Sequence, residues 1–161
     1  MFTCTFFGHR DCSDEVKILA ENTIRKLIVN GYVDCFYVGN QGYFDKMILN
    51  ILSKLKEEFH YINYNVVLAY IPVNKKEYDT IDYKNAIIPE GIENVPKRFA
   101  ISHRNRWMVN KSDYVVCYVT RSFGGAAQFV EYAKKRIRLL LIWDKYVSED
   151  YNFKTNVESN I

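Results

Sequence analysis

A doubly wound α/β fold, with a mainly parallel five-stranded sheet and helices on both faces, is predicted by three features of the 161-residue sequence. Apolar runs of strand length alternate with helical patterns, which implies crossover connections and a parallel sheet. Several runs lack the apolar–polar alternation of a half-exposed strand, as strands covered on both faces do. Turns rich in glycine or polar residues follow three of the runs.

The elements come in this order. Phe2–Phe7 is the first strand. A helix over Asp14–Asn30 places Val16, Ala20, Ile24, Leu27 and Ile28 on one face. Ser13 is its candidate cap, Asp14 and Glu15 suit its first turn, and Asn30-Gly31 ends it. Asp34–Val38 is the second strand. The next helix carries Phe44, Met47, Ile48, Ile51, Leu52 and Leu55 at i, i+3, i+4, i+7 spacing. Asn63–Ile71 is the third strand. Pro72 to Val95 is long for a connection in a compact domain, and such connections are often binding loops; Tyr78 in it is a candidate ligand contact, beside Asp79, Thr80, Tyr83 and Pro89. Pro96 suits the first turn of a third helix, which ends near Asn110. Tyr114–Val119 is the fourth strand, a fourth helix follows Gly125, and Ile137–Trp143 is the fifth strand. The polar tail from Asp144 to Ile161 is either partly disordered or an extra helix.

Composition fits one globular domain over residues 1–161, with 48% hydrophobic and 25% charged residues. A net charge of +3 without a long basic stripe argues against a nucleic-acid module. The densest basic stretch, Lys134-Lys135-Arg136-Ile137-Arg138, reads as a solvated helix end. No apolar run is long enough to span a bilayer. Cys4, Cys12, Cys35 and Cys117 form no C-x-x-C pair, so reduced thiols and a cytoplasmic location are expected, with no metal and no cofactor. The thirteen tyrosines and ten phenylalanines are first of all core material.

In a parallel sheet the turns after the strands share one edge. Gly8-His9-Arg10, Gly39-Asn40-Gln41-Gly42 and Ser122-Phe123-Gly124-Gly125 would meet there. Glycine lets a ligand approach the backbone, and a following helix offers free N–H groups to an anion. With the first and fourth strands as neighbours, the crevice opens between their carboxyl ends, flanked by Gly8 and Gly124-Gly125. Neither G-x-G-x-x-G nor G-x-x-x-x-G-K-[ST] is present, which argues against a standard dinucleotide dehydrogenase or P-loop NTPase.

In the third helix Ala100, Ile101, Trp107 and Met108 share an arc, and Arg104 falls at its centre while Arg98 and Arg106 point away. An arginine on an apolar face needs a partner: a carboxylate such as Asp113 or Glu131, or a ligand phosphate. Glu131 lies off the apolar face of Ala126, Phe129, Val130 and Ala133, and reads as solvated or crevice-facing. Asp45, in the first turn of its helix, either balances the dipole or binds a ribose hydroxyl. The ligand-binding set is therefore Gly8, His9, Arg10, Gly39, Asn40, Gln41, Gly42, Asp45, Tyr78, Arg104, Phe123, Gly124, Gly125, Ala126 and Gln128, with Arg104 and Glu131 the catalytic pair if the protein is an enzyme.

The stretches FFGHRDC, VGNQGYFD, RNRWMVNKSDYVVCYV and FGGAAQFVEYAKK cover most of the chain. Through them it resembles the SLOG superfamily, the Rossmann-like group of the LOG phosphoribohydrolases and DprA, and within it the small YpsA-like branch. The resemblance implies a nucleotide-derived ligand, of ADP-ribose or cyclic nucleotide type, at this strand edge. It also implies a homodimer or higher homo-oligomer. Some members sense such signals in antiviral systems, so a sensor, or a phage-encoded sponge that sequesters the signal, is the expected role. LOG enzymes cleave the N-glycosidic bond of nucleoside monophosphates with P-G-G-x-G-T-x-x-E after an R-x-x-x-M helix. Arg104, Met108, Gly124, Gly125 and Glu131 match that pattern. Phe123, Ala127 and Gln128 replace its proline, glycine and threonine, positions that hold the phosphate. The alternative to a binder is thus a LOG-like hydrolase that releases base.

Overall fold

The computed structural model describes residues 2–70 and 85–136 and the backbone of 139–143. Tyr78, with Asp79, Thr80 and Tyr83, lies outside those residues, as does the tail from Asp144. The described elements are β1 (Thr3–Gly8), α1 (Glu15–Val29), β2 (Cys35–Val38), α2 (Tyr43–Glu58), β3 (Asn63–Val67), β4 (Ala86–Ile87), α3 (Lys97–Asn110), β5 (Tyr114–Tyr118), α4 (Gly125–Lys134) and β6 (Leu139–Trp143). A 3-10 turn over Ile92–Asn94 precedes α3.

The strands form one parallel sheet in the order β4-β3-β2-β1-β5-β6. This is the doubly wound α/β architecture. The five expected strands are joined at one edge by β4, which falls inside the connection expected after β3. Two residues carry no periodicity, so Ala86-Ile87 leaves no strand signal in the sequence. From β1 the chain steps outward through β2 to β3 and β4. It then returns to the other side of β1 as β5 and continues to β6. The direction of winding reverses between β1 and β5, whose carboxyl ends sit side by side with Gly8 opposite Tyr118.

Alternation along β1 divides the core. Cys4 and Phe6 join one cluster with Ala20 and Ile24 of α1, Phe36 of β2 and Ile48 and Leu52 of α2. Phe7 points into the other, with Val115 and Cys117 of β5, Met108 and Val109 of α3, and Phe129 and Val130 of α4. Phe6 stacks on Phe36 and Phe7 on Phe129, with centroids 6.0 and 5.4 Å apart. Each such buried ring contributes roughly 1.5–3 kcal/mol of transfer free energy. Cys4 and Cys117 are fully buried, which pushes their thiols up and keeps them protonated and apolar. Among the described residues no helix is long and apolar enough to cross a membrane.

Two local expectations are corrected. Ser13 does not cap α1 with its side chain. Asp14 takes the cap position in helical geometry and makes no cap bond, and Ser13 serves through its carbonyl, which accepts Val16 N–H at 3.3 Å. The Asp14 carboxylate instead accepts the Tyr43 hydroxyl. Asp113 is not the partner of Arg104. Its Oδ2 accepts Thr3 N–H and Oγ1–H at 2.9 and 3.0 Å, pinning the start of β5 to the start of β1 at the opposite edge from the glycine turns.

Candidate functional site

The carboxyl ends of β1 and β5 open into a cleft of about 380 Å³. Gly8, His9 and Arg10 line it from the first turn, Gln41 and Asp45 from α2 and the turn before it, Arg104 from α3, and Phe123, Gly124, Gly125 and Ala126 from the start of α4. Gly39, Asn40, Gly42, Gln128 and Glu131 are not among its lining residues. Phe6, Phe7, Asp11, Ile101, Asn105, Met108 and Arg121 complete the wall, beyond the set expected from the sequence. Ile101 and Met108 stand three before and four after Arg104, so its helical face carried their signal, whereas Asn105, one residue on, lies off that face. Asp11 and Arg121 are charged residues of the two turns that flank the crevice.

The glycines divide by what fills the space beside them. A Cβ on Gly8 would run into the ring of Phe44, itself buried, so packing of α2 on β1 accounts for this glycine. A Cβ on buried Gly39 would run into both Arg104 Nη1 and Asp45 Oδ2. A Cβ on Gly42 would lie 2.7 Å from Arg10 Cγ. At Gly124 and Gly125 a Cβ would meet nothing within 4 Å. The bare backbone is therefore occupied by the protein's own side chains at three positions and left open at the start of α4.

Helices α2 and α4 begin alike. Gly42 has φ 98° and ψ 178° at the cap of α2, and Gly124 has φ 95° and ψ 176° at the cap of α4. This region of backbone space is essentially restricted to glycine. Neither helix has a side-chain cap bond. The third residue of α2 is Asp45, whose Oδ2 reaches back to accept Gln41 N–H at 2.8 Å. The third residue of α4 is Ala127, which has no acceptor to offer. The first N–H groups of α4 thus stand at the cleft without a carboxylate in their own turn.

Arg104 is 2% exposed, and its Nη1 donates to the Val67 carbonyl at 3.1 Å. Its carboxylate neighbour is Asp45, across the gap that Gly39 leaves open. Glu131 does not fill that role: it is 68% exposed and pairs with Lys134 at 2.6 Å. Burial pushes the Arg104 guanidinium down and the Asp45 carboxyl up, and each opposes the shift of the other through its charge. Among the described residues Arg104 Nε and Asn105 Oδ1 have no hydrogen-bond partner.

His9 is buried, and its Nε2 accepts Thr120 N–H at 3.0 Å, tying the first turn to the turn after β5. An accepting Nε2 is unprotonated, so the neutral ring carries its proton on Nδ1. Arg121 and Asp11 join the same two turns by an ion pair of 2.6 Å at the surface. Burial, then the Arg121 charge, hold His9 below its ordinary 6.5, against a smaller upward pull from Asp11. A histidine depressed in the folded state leaves stability intact above about pH 6.5 and lowers it as pH falls, because the unfolded chain takes the proton first. Melting temperature is expected to drop as pH falls below about 6.5, and to drop less in His9→Gln. Equal slopes in the two proteins would assign the pH dependence to other groups.

Three arginines (Arg10, Arg104, Arg121) and two aspartates (Asp11, Asp45) line the cleft, for a net charge of +1 with His9 neutral. Arg121 is paired with Asp11, and Arg104 is opposed by Asp45. Arg10 is exposed and makes no ion pair with a described residue. An electropositive cleft at a helix N-terminus suits an anion. No protein-family model matches the chain, and no curated protein matches it.

Proposed function

We propose that the chain binds a phosphate-bearing, nucleotide-derived small molecule in the cleft between β1 and β5, as a sensor or a sequestering protein. The observation that carries this reading is the start of α4. Its N–H groups lack the acidic residue that α2 supplies for itself, and Gly124 and Gly125 leave the approach open beside exposed Arg10. A phosphate there would be held by backbone donors and a guanidinium, with Asp45 placed to accept from a ribose hydroxyl. An ADP-ribose or cyclic nucleotide type of ligand, and a SLOG-like ancestry, belong to the same proposal. Glu131 on the outer surface of α4 counts against a LOG-like hydrolase, which would need that carboxylate at the ligand.

Calorimetry with AMP, GMP, CMP, UMP and ADP-ribose tests the reading. Wild-type protein is expected to bind at least one and to release no free base from any, as followed by chromatography. Gly125→Val should abolish binding and keep a cooperative melt, since the new side chain would project into open space rather than into the core. Unchanged affinity in Gly125→Val would return this glycine to turn geometry alone. We also propose a homodimer or larger assembly, for which Phe99 on α3, 51% exposed, supplies apolar surface. A monomer mass by light scattering at working concentration would contradict it.

A further inference from the structure

We infer that Phe123 is a stacking platform for a planar aromatic base, so that the cleft selects nucleotides over sugar phosphates. The inference rests on the cleft being a phosphate-binding site and adds what lies beside it. Among the described residues, Phe6, Phe7 and Phe123 are the phenylalanines that line the cleft, beside the buried ring of His9. Phe6 and Phe7 are buried at 1% and 5% exposure and already stacked on Phe36 and Phe129. Phe123 is 69% exposed and stands at the rim, next to the Gly124 cap.

A phenylalanine held this far into water keeps its apolar surface unsatisfied, which costs free energy that burial would recover. It is not left undirected. Arg121 places its guanidinium carbon 5.8 Å from the ring centroid, and Arg121 is in turn held by Asp11. The cation takes one side of the ring and leaves the rest of its surface to whatever enters the cleft. Beside Phe123 the turn offers glycine backbone, and Arg10, also in the cleft lining, is an exposed cation suited to an anion. A ligand whose phosphate lies on the start of α4 has the exposed ring of Phe123 beside it. A sugar phosphate has nothing to put there, whereas a base has a π-face of the right shape.

The experiment compares AMP, GMP, CMP, UMP and ADP-ribose with ribose 5-phosphate by calorimetry on wild type, Phe123→Ala and Phe123→Trp. Because the side chain is exposed, the variants are expected to melt like wild type. In wild type the tightest base-bearing ligand should exceed ribose 5-phosphate about tenfold or more, the size of one base-stacking contact. Phe123→Ala should erase that difference while leaving ribose 5-phosphate unchanged, and Phe123→Trp should keep it. If ribose 5-phosphate binds as tightly as the nucleotides, or if Phe123→Ala leaves nucleotide affinity intact, the platform is overturned and the phosphate site stands. If none of the ligands binds wild-type protein, both fall together.

Discussion

Replacing Arg104 by alanine is expected to lower both stability and ligand affinity, and the two losses have separate causes. In the free protein the guanidinium exerts the largest charge effect on Asp45, ahead of Arg10, and donates to the Val67 carbonyl. Its removal leaves the Asp45 carboxylate with only the weaker charge effect of Arg10 and takes a donor from the Val67 carbonyl, at a cost of about 3 kcal/mol. For a domain of this size that lowers the melting temperature by roughly 10 °C. If the guanidinium also meets the ligand, affinity per folded molecule falls by about ten- to a hundredfold, the worth of a charge-assisted contact of about 1.5–3 kcal/mol. The double variant Arg104→Met with Asp45→Leu separates the two. It removes both charges together, so stability should recover in part while the ligand contact stays lost. Recovery of affinity along with stability would show that Arg104 serves Asp45 alone.

This residue also shows what the sequence can carry. Its position at the centre of an apolar arc is visible from helical spacing, and Arg104 is indeed buried. The identity of its neighbour is not visible, because Asp45 belongs to another helix and reaches the site through a gap at Gly39. Asp113 and Glu131 are closer along the chain, yet one points to the amino edge of the sheet and the other to solvent. The strands are legible because unbroken apolar runs of their length have few other uses, and the neighbouring placement of β1 and β5 follows from winding rules. Two-residue β4 is illegible for want of any period. The glycines are legible as a set but not in their individual reasons. Only in the folded chain does Phe44 fill the place beside Gly8 and Arg10 cover Gly42. The Asp11–Arg121 pair joins turns 110 residues apart, and no local pattern couples such positions.

The caps of α2 and α4 supply the second large effect, and it should divide between stability and binding. Gly42 and Gly124 share a backbone conformation that an alanine occupies only under strain of about 1–3 kcal/mol. Their surroundings differ. Gly42 is hemmed by Arg10, whose Cα lies 3.2 Å from where an alanine methyl would stand and whose carbonyl accepts Tyr43 N–H at 3.2 Å. The chain there has no room to relax, so Gly42→Ala should cost the fold about 3 kcal/mol, strain and overpacking together. Gly124 lies between exposed Phe123 and exposed Gly125, and a methyl group on it meets nothing. That turn can rotate away from the strained region, so Gly124→Ala should cost the fold only about 1 kcal/mol. The rotation re-aims the first N–H groups of α4, however, and a phosphate held by them would be released. Affinity for the tightest ligand of the nucleotide panel should then fall about tenfold or more, with a melt close to wild type. Urea unfolding and calorimetry on the two variants read both quantities. Should Gly124→Ala bind as wild type does, the start of α4 is not where the anion sits, and the glycine pair there is a turn and nothing more.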